Sequence, residues 1–197
     1  MTGTETGKSP GMDVHTFPGT RRPPLAEWLD APSGWAALDP VSERLHGLLR
    51  KLPQPLRDAL HGVWLGHPLH PAVVQVPVGC WLSASLLDAA CTSPDAARHL
   101  TRIGLIGAAP AAWTGWADWS TLTPEQRRTG LVHALGVVTA AALQSASLAA
   151  RCRAARTGTT PTTGRLLGLA GLTAATATAT LGAHLAHRQP LPTEPAS

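Results

Sequence analysis

Four stretches of this chain contain no Asp, Glu, Lys or Arg: Ala59 to Leu87, Ile103 to Ala117, Thr129 to Ala150 and Leu166 to His187. A helix rises about 1.5 Å per residue, so roughly 20 apolar residues span the hydrocarbon core of a bilayer. The third and fourth stretches meet that length directly. The first exceeds it and is expected to enter the membrane near Pro71, a good first-turn residue. The second reaches it if the interface takes up Asp118 and the helix runs on to Trp119. A soluble Ala-rich bundle, the competing reading, would show charge every three or four residues along its outer faces.

Short polar connectors separate the stretches: Cys91 to Arg102, Ser120 to Arg128 and Arg151 to Arg165. Each carries Arg together with Thr, Ser, Pro or Gly, as chain leaving a bilayer does. Trp64, Trp81, Trp113, Trp116 and Trp119 fall mostly near the span ends, at headgroup level. Gly168, Ala170, Gly171, Ala174 and Ala175 allow close helix approach in lipid. The expected fold is therefore all-α, an integral membrane four-helix bundle with spans about 71–91, 102–120, 129–150 and 165–187 inside a domain over 66–188. Pro77 and Pro110 lie within the first two spans, where neighbours or water satisfy the freed carbonyls.

Residues 1–37, rich in Gly, Pro, Thr and charge, read as a disordered tail, as do 189–197. Arg21-Arg22 precedes Pro-Pro rather than an apolar run, so no export signal is expected. Over 38–65 the apolar Val41, Leu45, Leu48, Leu49 and Leu52 recur at helical spacing opposite Glu43, Arg44, Arg50 and Lys51. Leu56, Leu60, Val63 and Trp64 resume the pattern after Pro53 and Pro55. Amphipathic helices lying on the membrane surface, or packed against a partner protein, fit this segment equally.

A net charge of +4 without a basic run or interleaved aromatics excludes a nucleic-acid partner. Three cysteines, none in a C-x-x-C, exclude a disulfide scaffold and a zinc-finger framework. Nothing resembles a nucleophile elbow, a P-loop or a dinucleotide fingerprint, and an enzyme acting alone is not expected.

Four spans put both chain ends and the connector between spans two and three on one side, here face A. His67 and His70 precede span one, Asp118 closes span two, His133 lies about one turn into span three, and His184 and His187 close span four. All therefore meet at face A, whereas face B holds Asp88, Cys91, Arg98, Arg102, Arg151 and a single histidine, His99. Ionisable groups at membrane depth face the bundle interior and are functional candidates. Imidazoles and one carboxylate at one level suit haem iron, a transition metal or proton exchange with a quinone. His133 and His184, on different helices, are the expected axial pair of at most one haem, with His67, His70 and Asp118 as candidate metal ligands. Gln144 after His133, and Thr173, Thr176 and Thr180 before His184, extend two stripes expected to face inward. The plainer readings are helix capping for His67 and His70, and pairing with a histidine for Asp118. Asp88 is expected to pair with an arginine of face B such as Arg102.

The run Leu65-Gly66-His67-Pro68-Leu69-His70-Pro71, continued by Pro77-Val78-Gly79 and Asp88, resembles a family of bacterial predicted membrane proteins, domain of unknown function 2231. Gly115-Trp116-Ala117-Asp118-Trp119, Gly130-Leu131-Val132-His133-Ala134 and Gly182-Ala183-His184-Leu185 are similar to its later blocks. The resemblance covers roughly residues 55–188; Ala183 and Gly136 depart from the usual pattern. It implies a four-helix membrane domain often associated with a Rieske-type iron–sulfur protein. No Cys-x-His pattern follows Arg188, so that cluster is expected on a partner.

Two functions follow as expectations. One is a redox-associated subunit of the bacterial plasma membrane, with a haem, metal or quinone site at face A. The other is a non-catalytic membrane anchor or scaffold docking an iron–sulfur partner through 38–64, either of them with a further copy of the chain as an added partner. Lys and Arg near the span ends lean slightly towards a cytoplasmic face B.

Overall fold

The computed structural model describes residues 24–188, and every regular element among them is helical. Helix α1 (Pro24–Asp30) leads through two single 3-10 turns, Ala31–Gly34 and Ala36–Leu38, into α2 (Asp39–Leu49) and α3 (Gln54–His61). A short α4 (His70–Val73) runs into α5 (Gln75–Ala89). Three long helices follow: α6 (Pro94–Trp119), α7 (Pro124–Thr157) and α8 (Thr162–Arg188).

The long helices overrun the charge-free stretches, and the connectors shrink accordingly. Charge marks where apolar chain stops, but Arg, Ala, Glu and Gln are good helix formers and carry the helix into the interface. Caps set the true ends. Thr123 accepts from the Gln126 amide at 3.4 Å and the Gln126 side chain accepts from the Thr123 amide at 3.0 Å, a capping box that starts α7. Gly158, at φ 66°, ends it in the left-handed conformation.

Residues 24–37, read from composition as tail, are ordered as α1 and the two 3-10 turns. Their polar groups find partners on the long helices: Arg128 donates to the Ser33 carbonyl at 2.8 Å, and His184 donates to Asp30 at 2.7 Å. The tail readings for 1–23 and 189–197, and His187's side chain, lie outside the described residues.

Helices α5 and α6 form one antiparallel hairpin and α7 and α8 a second; α6 packs on α7 and α5 on α8. The interior is made of small and polar residues: Ala84, Ala97, Ala111 and Ala140 are buried, as are Thr101, Gln144 and Ser147. Large apolar side chains point outward instead, among them Leu86, Ile106, Leu135, Val138, Leu166 and Leu169. Such an inside-out distribution is unstable in water and stable in lipid, where small residues bring backbones together. Three segments are long and apolar enough to cross a membrane: His70–Ala89, Pro124–Thr157 and Thr162–Ala186. Helix α6 is 26 residues long, with Asp95, Arg98, Arg102 and Asp118 towards its ends, and is not among them.

The two hairpins repeat one design in one register. Trp81 and Gln144 each follow His70 and His133 by eleven residues, and Asp88 and Arg151 follow by eighteen. On the return helices, Gly104 and Gly171 each precede Gly115 and Gly182 by eleven. Structure matches the spacing. The His70 ring lies against Gly115 and the His133 ring against Gly182; Trp81 covers Gly104 and Gln144 covers Gly171. Pro77, Trp81 and Ala84 are buried at the positions that Ala140, Gln144 and Ser147 hold in the second hairpin. The matched contacts make the two hairpins a pseudo-two-fold repeat, and Asp88 of the first meets Arg151 of the second.

Candidate functional site

At face A, the twin histidines are held alike. His70 donates from Nδ1 to the Ala111 carbonyl at 2.9 Å, and His133 donates from Nδ1 to the Thr178 carbonyl at 3.0 Å. In each case the accepting carbonyl lies four residues before the glycine under the ring. An added Cβ would stand 2.9 Å from the His70 ring at Gly115 and 2.8 Å from the His133 ring at Gly182. Glycine is what lets each imidazole lie flat enough to reach the facing helix. The Thr114 hydroxyl sits 3.4 Å from His70 Nδ1 and itself donates to Ala111 at 3.0 Å, closing that corner.

With Nδ1 carrying the proton, the neutral ring keeps the Nε2 lone pair. This is the arrangement of a histidine oriented for a metal by an outer carbonyl. His70 also lies within electrostatic range of both His133 and Asp118.

The other candidates are placed differently. His184 commits Nε2 to Asp30, so the imidazole that matches His133 in geometry is His70 rather than His184. His67 is exposed, with Nδ1 on the carbonyl of Pro68 at 3.3 Å. Asp118 accepts from His61 Nδ1 at 3.0 Å, the histidine pairing that its place between two tryptophans allowed. Among the described residues no three His, Cys, Asp or Glu side chains gather closely enough to hold a metal ion, so His67, His70 and Asp118 are not drawn together as a ligand set. Gln144 does face inward, donating to the Gly168 carbonyl at 3.0 Å. The threonine stripe does not. Thr173, Thr176 and Thr180 are exposed, each hydroxyl turned back onto a carbonyl of its own helix, while Gly164, Gly168, Gly171 and Gly182 form the inner face of α8.

Helices α2 and α3 roof face A. Arg128 clamps Asp39 with two bonds of 2.6 and 2.8 Å, and His46 donates from Nε2 to the Ser120 carbonyl at 3.0 Å. His61, missed by sequence reasoning, joins the same face through Asp118; its place in the apolar Leu60–Trp64 run masked it. The segment docks through Ser42, Asp39 and His46, leaving Val41, Leu48, Val63 and Trp64 outward. Leu45, Leu49 and Leu52 are half-buried and Glu43, Arg44, Arg50 and Lys51 exposed, so the expected amphipathic order holds only in part.

At face B, Asp88 pairs with Arg151 at 3.0 and 2.5 Å, not with Arg102, and Arg165 lies 3.6 Å from the same carboxylate. The Arg151 side chain is 2% exposed and that of Asp88 9%. Arg151 reaches Asp88 by lying over Gly164 and Gly168, a path only glycine leaves open.

The family model described as "Predicted membrane protein (DUF2231)" matches residues 66–195. No curated protein and no solved structure matches the chain.

Proposed function

Because the chain belongs to this family of membrane proteins, we propose that it is a redox-associated subunit of the bacterial plasma membrane whose His70 and His133 hold a haem iron or a transition-metal ion at face A. In this reading α6, about 39 Å long at 1.5 Å per residue, is the fourth span. Its charges lie within reach of the two interfaces.

The observation that supports the site is the shared tautomer: both imidazoles give Nδ1–H to a main-chain carbonyl of the facing helix. Nε2 is thereby reserved as a lone-pair donor, which suits a metal centre or the hydroxyl of a quinol and does not suit a carbonyl oxygen. His70 and His133, one from each hairpin, would be the two residues that hold a haem iron or a transition-metal ion. When bound, the group would supply electron transfer. The chain orients the rings, keeps lipid off them and holds the Nδ1 protons in place.

Detergent-purified full-length protein, made in a host supplied with iron and haem precursor, should carry a visible absorption band or stoichiometric metal. His70→Ala and His133→Ala should each abolish it, and His184→Ala should retain it. A colourless, metal-free wild-type preparation would overturn the reading.

The outward Leu48, Val63 and Trp64 favour a second reading, in which the roof anchors a Rieske-type iron–sulfur partner. There Leu48→Glu with Val63→Glu abolishes co-purification of the partner while the histidine variants retain it.

A further inference from the structure

A cleft of about 340 Å³ opens at face B between the first turn of α6 and the loop joining α7 to α8. Arg98, Arg151 and Arg165 line it, with Asp95, Thr159 and Thr160. Arg151 is fully engaged by Asp88. The other two guanidiniums are not. Among the described residues, the buried Nε atoms of Arg98 and Arg165 find no hydrogen-bond partner. Arg165 has, among the described residues, Asp88 at 3.6 Å and the Cys91 sulfur at 3.8 Å; Arg98 has the Asp95 carboxylate, whose side chain is 80% exposed. An exposed pair of that kind contributes little and exchanges readily with a better acceptor.

A guanidinium offers five N–H donors in a planar fork, and two forks with unused donors lining one cleft match the oxygens of a phosphate group. The cleft lies at the face B ends of α7 and α8, two of the apolar segments long enough to span a bilayer. Lipid headgroups occupy that level, and basic pockets between membrane helices bind anionic headgroups there. Thr160 lines the same cleft, and the Thr159 hydroxyl there is shared with that of Thr157 at 2.9 Å. We propose that this cleft binds a phosphate group, and that the group is carried by an anionic phospholipid.

The test is native mass spectrometry of the full-length protein in detergent with equal phosphatidylglycerol and phosphatidylcholine, with and without millimolar inorganic phosphate. Phosphatidylglycerol adducts should dominate, persist in inorganic phosphate and weaken about fivefold in Arg98→Gln, the loss of one interfacial cation. Arg98 is the residue to change because its ion-pair partner Asp95 is exposed, and Arg165→Gln serves as the second variant. Equal retention of the two lipids, or full preference in both variants, overturns the proposal. Displacement by inorganic phosphate that itself depends on Arg98 overturns the lipid as source and assigns the cleft to free phosphate.

Discussion

A guanidinium with 2% of its side chain exposed must be answered by an anion, and Asp88 answers Arg151 with both of its oxygens. Ser147 adds to this by accepting from Arg151 Nε at 3.1 Å, while donating its own proton to the Gly164 carbonyl at 2.6 Å. Removing one partner leaves the other charge buried and unanswered, at a cost of about 3–5 kcal/mol, whereas replacing both by apolar side chains is often neutral. Arg151→Met is therefore expected to lower the thermal midpoint of the detergent-solubilised protein sharply. Adding Asp88→Leu to it should recover most of the loss. The need for an arginine opposite Asp88 was legible in the sequence, but its identity was not. Arg102 lies closer along the chain, and only the three-dimensional path over Gly164 and Gly168 selects Arg151.

For the elements, the sequence located the apolar cores of the helices and missed their ends, because absence of charge reports on lipid contact and not on helix continuation. It found α2 and α3 but not the polar contacts that dock them, Asp39 on Arg128, His46 on Ser120 and His61 on Asp118, which no periodicity records. Those contacts make the roof sensitive to acid. Burial holds His46 below the ordinary imidazole range, so the unfolded segment takes up the proton first, and stability falls as pH drops below about 6.5. The Arg128 guanidinium holds Asp39 below the ordinary carboxylate range, so its contribution is present at neutral pH and is lost only in stronger acid, as pH falls through that lowered value. Both effects have the same sign. Hydrogen exchange across 39–61, corrected for intrinsic rate, should rise between pH 7 and pH 5. His46→Gln, which keeps a donor for the Ser120 carbonyl without titrating, should flatten that rise.

Across the whole molecule, the repeat was present in the sequence as intervals of eleven and eighteen, yet the residue types at matched places differ. Trp81 answers Gln144 and Asp88 answers Arg151, while His70 with His133, Gly104 with Gly171, Gly115 with Gly182 and Arg98 with Arg165 are among the matched places that keep one residue type. Register rather than overall identity carries the repeat, and it is what turns the proposed site from His133 with His184 to His133 with His70. The halves are not interchangeable. Arg151 needs Gly164 and Gly168 beneath it, and the matched places in the first hairpin hold the buried Ala97 and Thr101. The swap Asp88→Arg with Arg151→Asp should accordingly leave the protein destabilised, despite conserving charge and symmetry. Adding Ala97→Gly and Thr101→Gly should restore part of the thermal midpoint.

The four-residue turn between α6 and α7, Ser120 to Thr123, joins the two hairpins covalently. Were the hairpins separate and identical, a two-fold axis would set every axial residue against its own copy. A carboxylate there would confront a carboxylate, and a guanidinium a guanidinium. Linkage in one chain gives each half its own codons, so one can inherit the acid and the other the base. The short turn is thus what makes a charged axis attainable, and it explains why this membrane core can keep matched imidazoles at one end and opposite charges at the other.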